Sequence, residues 1–176
     1  MKRIALSIIA VLMFLSGINA QNKITIEKYG VGPFTLATLL KNAPAAVPGL
    51  YNKMKVVDLG QIEDLDDHMR YVKDYDCYLN GVRILSVGTE EVYEGEEIRY
   101  VTVYGKNLKM DGKIYVGMPL AELRKIEGVR MADDDCHFPK YAYKDYMAEI
   151  RVGKGQNGHY YVTSISFRFK PKFIIE

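Results

Sequence analysis

The chain has 176 residues, with 24 Lys+Arg against 22 Asp+Glu, two Cys and no Trp. That length builds one domain or two very small ones. A near-neutral balance with no basic run gives no electrostatic footprint for nucleic acid.

The N-terminus reads "MKRIALSIIAVLMFLSGINA". Lys2 and Arg3 form a basic start, Ile4 to Leu15 an apolar run too short for a comfortable membrane span, and Ala20 a small residue at a cleavage point. This layout predicts a signal peptide over residues 1–20, no membrane span in the mature chain, and a periplasmic or secreted protein. No Cys lies near the cut, so lipid anchoring is not expected. Lys2 and Arg3 leave with the leader, so 22 basic residues remain against 22 acidic ones. The 14 Tyr favour strands, because flat aromatic side chains suit a pleated, half-buried surface.

Two stretches further along echo each other: Phe34-Thr-Leu36-Ala37-Thr-Leu-Leu40 and Ile114-Tyr-Val116-Gly117-Met-Pro-Leu120. Apolar residues fall at the same offsets, and a small residue, Ala37 or Gly117, marks the same turn. Each copy reads as a short extended segment, a tight turn and a short helix. Pro44 limits the first helix, while Pro119 and Gly128 punctuate the second.

The text after each copy is β-like. "KMKVVDL", "DYDCYL", "VRILSV" and "EIRYVTVY" follow the first, with Asn80-Gly81 predicting a type I′ hairpin turn. "YAYKD", "MAEIRVG" and "YYVTSISFRF" follow the second. The predicted fold class is α+β: two tandem units over residues 21–105 and 106–176, each a helix plus a four-stranded antiparallel sheet, with helices on one face of the sheet. Val116, Gly117, Met118, Glu122 and Leu123 carry a family likeness. With the strand order around them, they make the chain resemble the tandem modules of the β-lactamase inhibitor protein-like fold. More distantly, it is similar to the small lipoprotein of the outer-membrane β-barrel assembly machinery. Ala37 and Thr38 stand where that pattern has Gly and Met. The resemblance implies helices against one sheet face and the other face free; it carries over no catalytic residue.

Enzyme signatures are missing. The sequence holds no Gly-x-Ser-x-Gly, no His-Glu-x-x-His and no phosphate-cradling glycine loop. The stretch Asp133 to His137 assembles carboxylates, a thiol and an imidazole, but consecutive residues rarely all point inward, and a solvated loop is the simpler reading. The acidic cluster Glu90, Glu91, Glu94, Glu96 and Glu97 reads as a solvated loop as well. Cys77 and Cys136 form a candidate disulfide in an exported chain, although Cys77 also fits as a small buried hydrophobe beside Tyr75 and Leu79.

The free sheet face is the remaining candidate site. Alternation in "YYVTSISFRF" places Tyr161, Thr163, Ile165, Phe167 and Phe169 in the core, and Tyr160, Val162, Ser164, Ser166 and Arg168 outside. On "MAEIRVG" it buries Ala148, Ile150 and Val152 and exposes Met147, Glu149 and Arg151. "RYVTVY" is ambiguous: alternation buries Val101 and Val103, whereas alignment on the shared Tyr-Val-Thr would bury Tyr100 and Tyr104. The expectation is a non-enzymatic protein without cofactor that binds an envelope or extracellular protein through Arg151, Tyr160, Ser164 and Arg168. The alternatives are a small-ligand or glycan binder between the units and a metal-dependent hydrolase at the Asp133 to His137 loop. Lack of Trp weakens the glycan reading.

Overall fold

Hydrogen-bonded strands account for nearly all the regular structure of the described residues. The computed structural model describes residues 24–40, 44–63, 69–133 and 139–168. Three two-residue strands open it: β1 (Ile26–Glu27), β2 (Gly30–Val31) and β3 (Phe34–Thr35). A meander follows: β4 (Lys53–Glu63), β5 (Met69–Leu79), β6 (Val82–Val92) and β7 (Gly95–Val103). Then come β8 (Lys109–Met110), β9 (Ile114–Tyr115) and the one-turn helix α1 (Leu120–Leu123). A second meander ends it: β10 (Val129–Asp133), β11 (Lys140–Tyr143), β12 (Ala148–Lys154) and β13 (Tyr160–Arg168).

The two meanders form one eight-stranded antiparallel sheet in the order β10-β11-β12-β13-β7-β6-β5-β4. Their last strands meet in the middle through four register pairs, Ile165–Val103, Ser166–Thr102, Phe167–Val101 and Arg168–Tyr100. A smaller sheet, β3-β2-β1-β8-β9, joins the short strands of both halves through a parallel pair between β1 and β8.

The seam has pseudo-twofold symmetry. Shifting by 64 positions takes 101 to 165 and 103 to 167, so the pair Val103–Ile165 maps onto Phe167–Val101. The same shift matches two β-bulges: Arg99 is the extra residue on β7, between the pairs Gly88–Tyr100 and Thr89–Ile98, and Thr163 is the extra residue on β13, between Arg151–Ser164 and Val152–Val162. It also explains the echo. The Ala37 N–H donates to Ile98 O at 3.0 Å, and Ile98 N–H to Thr38 O at 2.9 Å. In the second half Gly117 N–H donates to Val162 O at 2.8 Å, and Val162 N–H to Met118 O at 2.9 Å. Each echo segment therefore fills the hydrogen-bonding edge of its own last strand below the seam, where backbone groups would otherwise lack partners. Ala37 and Gly117 both adopt positive φ, +59° and +94°, at the turn that makes this docking possible.

The α+β expectation is overturned: the described residues are almost all β. In the first half the described part of the expected helix is a turn at Leu36 and Ala37 followed by a non-helical segment that runs beside β7, with Leu39 bridging Glu97 and the Leu40 N–H donating to Glu96 O at 2.7 Å. Thr35 and Thr38 favour extended backbone, and β7 offers an open edge that rewards it. In the second half the helix is a single turn. It starts after Pro119 and survives because Leu123 is wholly buried, since so short a helix has no stability of its own. The sheet's inner face is covered by the small sheet and this turn.

The core is one cluster. Phe34, Leu50, Tyr51, Val87, Ile98 and Val101 from the first half join Ile114, Leu123, Tyr143, Ile150, Ile165 and Phe167 from the second. Asn80 and Gly81 have φ of +51° and +82°, the pair of positive values a type I′ turn needs, and Leu79 pairs with Val82 across it.

Candidate binding face of the large sheet

Alternation sets what the outer face of the large sheet displays. Val101 and Val103 are fully buried on the inner face, so Tyr100, Thr102 and Tyr104 belong to the outer one. This settles the ambiguity of "RYVTVY". The shared Tyr-Val-Thr does not mark equivalent positions: by the seam symmetry Tyr100 corresponds to Ser164 and Thr102 to Ser166.

Three rows of side chains cross the outer face. The central row runs Asp76, Ser86, Thr102, Ser166, Glu149 over five strands. The Ser86 hydroxyl donates to Asp76, and the Thr102 and Ser166 hydroxyls are 3.1 Å apart. Ser86, Thr102 and Ser166 are buried beneath their larger neighbours. The second row runs Asp74, Gly88, Tyr100, Arg168. The Tyr100 ring lies across Gly88 and its hydroxyl donates to Asp74. Burial, and then the hydrogen bond to Asp74, hold the Tyr100 phenol well above its ordinary pKa. The Arg168 guanidinium sits 5.3 Å from the Tyr100 ring centroid.

The third row begins with Lys53, Tyr78 and Arg83 on β4, β5 and β6. Tyr104 and Ser164 continue it, each one residue beyond the Val103–Ile165 pair, and Arg151 and Lys140 complete it. Arg83 lies 4.5 Å over the Tyr104 ring and 3.4 Å from Asp76, while Lys55 stands 5.1 Å over Tyr78. These cation–aromatic pairs hold flat, exposed cations over Tyr faces. Lys55, Val57, Arg83 and Arg168 are exposed.

The structure brings Arg151, Ser164 and Arg168 together on this face. Tyr160 is elsewhere. Arg151 pairs with Ser164 but Val152 with Val162, so Thr163 is an extra residue that switches the phase of β13. Val162 is therefore buried, and Tyr160 shares its inner phase at the strand's exposed end. Val162 was expected outside and Thr163 inside; the bulge reverses both. Phe169 lies outside the described residues. Sequence reasoning misses Asp74, Asp76 and Arg83 and leaves the face of Tyr100 and Tyr104 open, although alternation in "DYDCYL" separates Asp74 and Asp76 from Tyr75 and Cys77.

Cys77 is fully buried on the inner face with a free thiol, pushed up to about 12 by burial and then by the Asp76 charge. Its candidate partner Cys136 and the neighbouring Asp134, Asp135 and His137 lie outside the described residues. The acidic cluster is more ordered than a solvated loop. Glu96 accepts hydrogen bonds from Lys73, Tyr75 and Thr89, and Arg99 pairs with Glu90 at 2.7 Å and Glu97 at 2.9 Å.

Comparison with known proteins gives a fold and nothing further. No family model matches the chain, and no curated protein matches it. Among solved structures it is similar to the uncharacterized protein yfeY from Escherichia coli, with a TM-score of 0.54 at 14% identity, covering 82% of this chain and 99% of that one. Among the described residues, no helix is long and apolar enough to cross a membrane.

Proposed function

We propose that this is an exported, non-enzymatic protein that binds another protein of the envelope or extracellular space through the outer face of its eight-stranded sheet. The observation that carries the reading is the composition of that face. Tyr78, Tyr100 and Tyr104 lie beneath the cations Lys55, Arg168 and Arg83 over a floor of Ser and Thr. Tyr and Arg are the residues most enriched where binding energy concentrates, and short hydrogen-bonding side chains between them adapt to a partner's backbone. Among the described residues the face displays no His or Cys, and Asp74 and Asp76 are engaged by Tyr100, Ser86 and Arg83. Its pattern suits recognition.

The test is recovery of partners from native envelope and culture fluid on immobilised mature protein. Wild type should retain a protein that Arg83→Ala and Tyr104→Ala lose. Equal recovery by both variants would remove this face from consideration. Export has its own check: N-terminal sequencing of the native protein should begin near Gln21.

A further inference from the structure

The outer face is symmetric in backbone and asymmetric in charge. Under the seam symmetry Asp74 corresponds to Lys140, Gly88 to Arg151, and Tyr104 to Arg168. One acid of the first meander, Asp74, is thus matched by a cation in the second, and the uncharged Gly88 and Tyr104 are matched by arginines. On β12 and β13 these cations bracket one acid: Glu149 pairs with Ser166, Arg151 with Ser164, and Arg168 stands two residues beyond Ser166. Arg151 and Glu149 are 4.0 Å apart at their nearest, a loose contact, and the Arg151 Nε is buried with no hydrogen-bond partner. Arg168 is exposed and lies over the Tyr100 ring.

Resting on the proposed function above, we infer that this half of the face recognises an extended acidic segment of a protein partner, carrying carboxylates four residues apart with a basic or hydroxyl side chain midway. The spacing follows from the strand. Ser164 and Arg168 are four residues apart, about 13 Å at about 3.3 Å per residue. An extended peptide lying along β13 has the same rise, and its residues i, i+2 and i+4 point the same way. Residue i would meet Arg151, i+4 would meet Arg168, and i+2 would meet Glu149, which stands opposite Ser166. Guanidinium pairs two parallel N–H bonds with a carboxylate, and the Arg151 side chain, 39% exposed with its Nη2 only loosely placed against Glu149, can present its terminal N–H groups in that way. A uniform polyanion, whether a sulfated glycan or an anionic membrane, would set a negative charge against Glu149. The alternation of sign selects a polypeptide, because only there can charge alternate at this spacing.

The experiment titrates the isotope-labelled protein, followed by backbone amide NMR, with three synthetic peptides: Ser-Glu-Ser-Lys-Ser-Glu-Ser, its charge inverse Ser-Lys-Ser-Glu-Ser-Lys-Ser, and Ser-Glu-Ser-Glu-Ser-Glu-Ser. Heparin and phosphatidylglycerol vesicles form the remaining arms. The first peptide should shift amides of Glu149, Arg151, Ser166 and Arg168 and bind about tenfold more tightly than its inverse. Arg168→Gln, on an exposed residue, should weaken it several-fold, and Arg151→Gln more, since charge pairs across an interface set selectivity. Shifts on this face without preference among the peptides overturn the acidic-segment inference and leave the face itself standing. Tighter binding of heparin or vesicles than of any peptide overturns it too. Shifts confined to residues off the outer face sink both readings.

Discussion

The hydroxyls of Thr102 and Ser166, 3.1 Å apart and buried, lie on the pseudo-twofold axis that relates the two halves of the chain. Each is the other's symmetry counterpart, so the central hydrogen bond of the outer face joins two copies of one position. Removing one partner leaves the other buried and unsatisfied, which costs about 1–3 kcal/mol; removing both costs much less. Thr102→Val should therefore destabilise by that amount, while Thr102→Val with Ser166→Ala should lie well above the sum of the singles. Denaturant unfolding of the three variants checks it, and additivity would mean that the bond contributes nothing.

The echoed turn gives a reciprocal pair of substitutions. Ala37 holds φ of +59° where Gly117 holds +94°. A left-handed conformation costs an L-residue about 1–2 kcal/mol, part of which glycine returns as unfolded-chain entropy. Ala37→Gly should stabilise by about 0.5 kcal/mol, and Gly117→Ala should destabilise by about 1 kcal/mol. A side chain at 117 would meet Lys106 only at ordinary contact distance, so the effect there is conformational. A destabilised Ala37→Gly would show that Ala37 matters for packing.

The strands and the duplication were legible because they rest on short-range rules. Alternation placed Ala148, Ile150 and Val152 inside, and Asn80-Gly81 gave its turn directly. The helices were misjudged because Leu36, Leu40, Leu120 and Leu123 recur at helical spacing, yet Leu36 sits in a turn and Leu40 on the segment docked along β7. What decides is the open edge of β7, a partner more than fifty residues away in sequence that local pattern does not contain. Bulges defeated the face assignments for the same reason. One extra residue at Thr163 inverts everything upstream, and nothing in "YYVTSISFRF" announces it.

Glu96 links stability to pH. Burial alone would raise its carboxyl, but hydrogen bonds from Lys73, Tyr75 and Thr89, together with the Lys73 charge, outweigh burial and hold it below the ordinary glutamate value. A depressed folded pKa means the contribution is complete above the unfolded value, about 4.5, and is lost as pH falls through the folded one. The urea midpoint should decline as pH drops below that point, and Glu96→Gln should flatten the decline while lowering stability at neutral pH. An unchanged acid slope in that variant would assign the linkage elsewhere.

Cys77 should resist modification while the protein is folded. Full burial removes access, and a thiol raised to about 12 carries almost no thiolate at neutral pH. Native protein should leave Cys77 unlabelled by a thiol-specific disulfide reagent over hours, and unfolding without reductant should release it. Mass spectrometry of the labelled peptide reads the site. If unfolded, unreduced protein yields no reactive thiol, Cys77 and Cys136 are bridged.

The Tyr100 ring occupies the space that a side chain on Gly88 would need. A Cβ there would lie 1.9 Å from Tyr100 Cε1 and 2.3 Å from Cζ, and Gly88 itself has no positive φ to defend. The glycine is thus required for the aromatic ring and for nothing in its own backbone. Gly88→Ala must push the ring aside, breaking the hydrogen bond to Asp74 and the seat of Arg168, at a cost of about 1–3 kcal/mol for overpacking. In a Tyr100→Ala background the obstacle is gone, and alanine in place of a strand glycine should be neutral or mildly stabilising. The cycle therefore predicts a strong positive coupling between positions 88 and 100, which thermal unfolding of the four proteins measures. The same cycle separates stability from recognition. Gly88→Ala should weaken partner recovery through the displaced Tyr100 and Arg168, and the double variant should regain stability without regaining the partner. Recovery that follows stability alone would mean that Tyr100 supports the sheet and takes no part in binding.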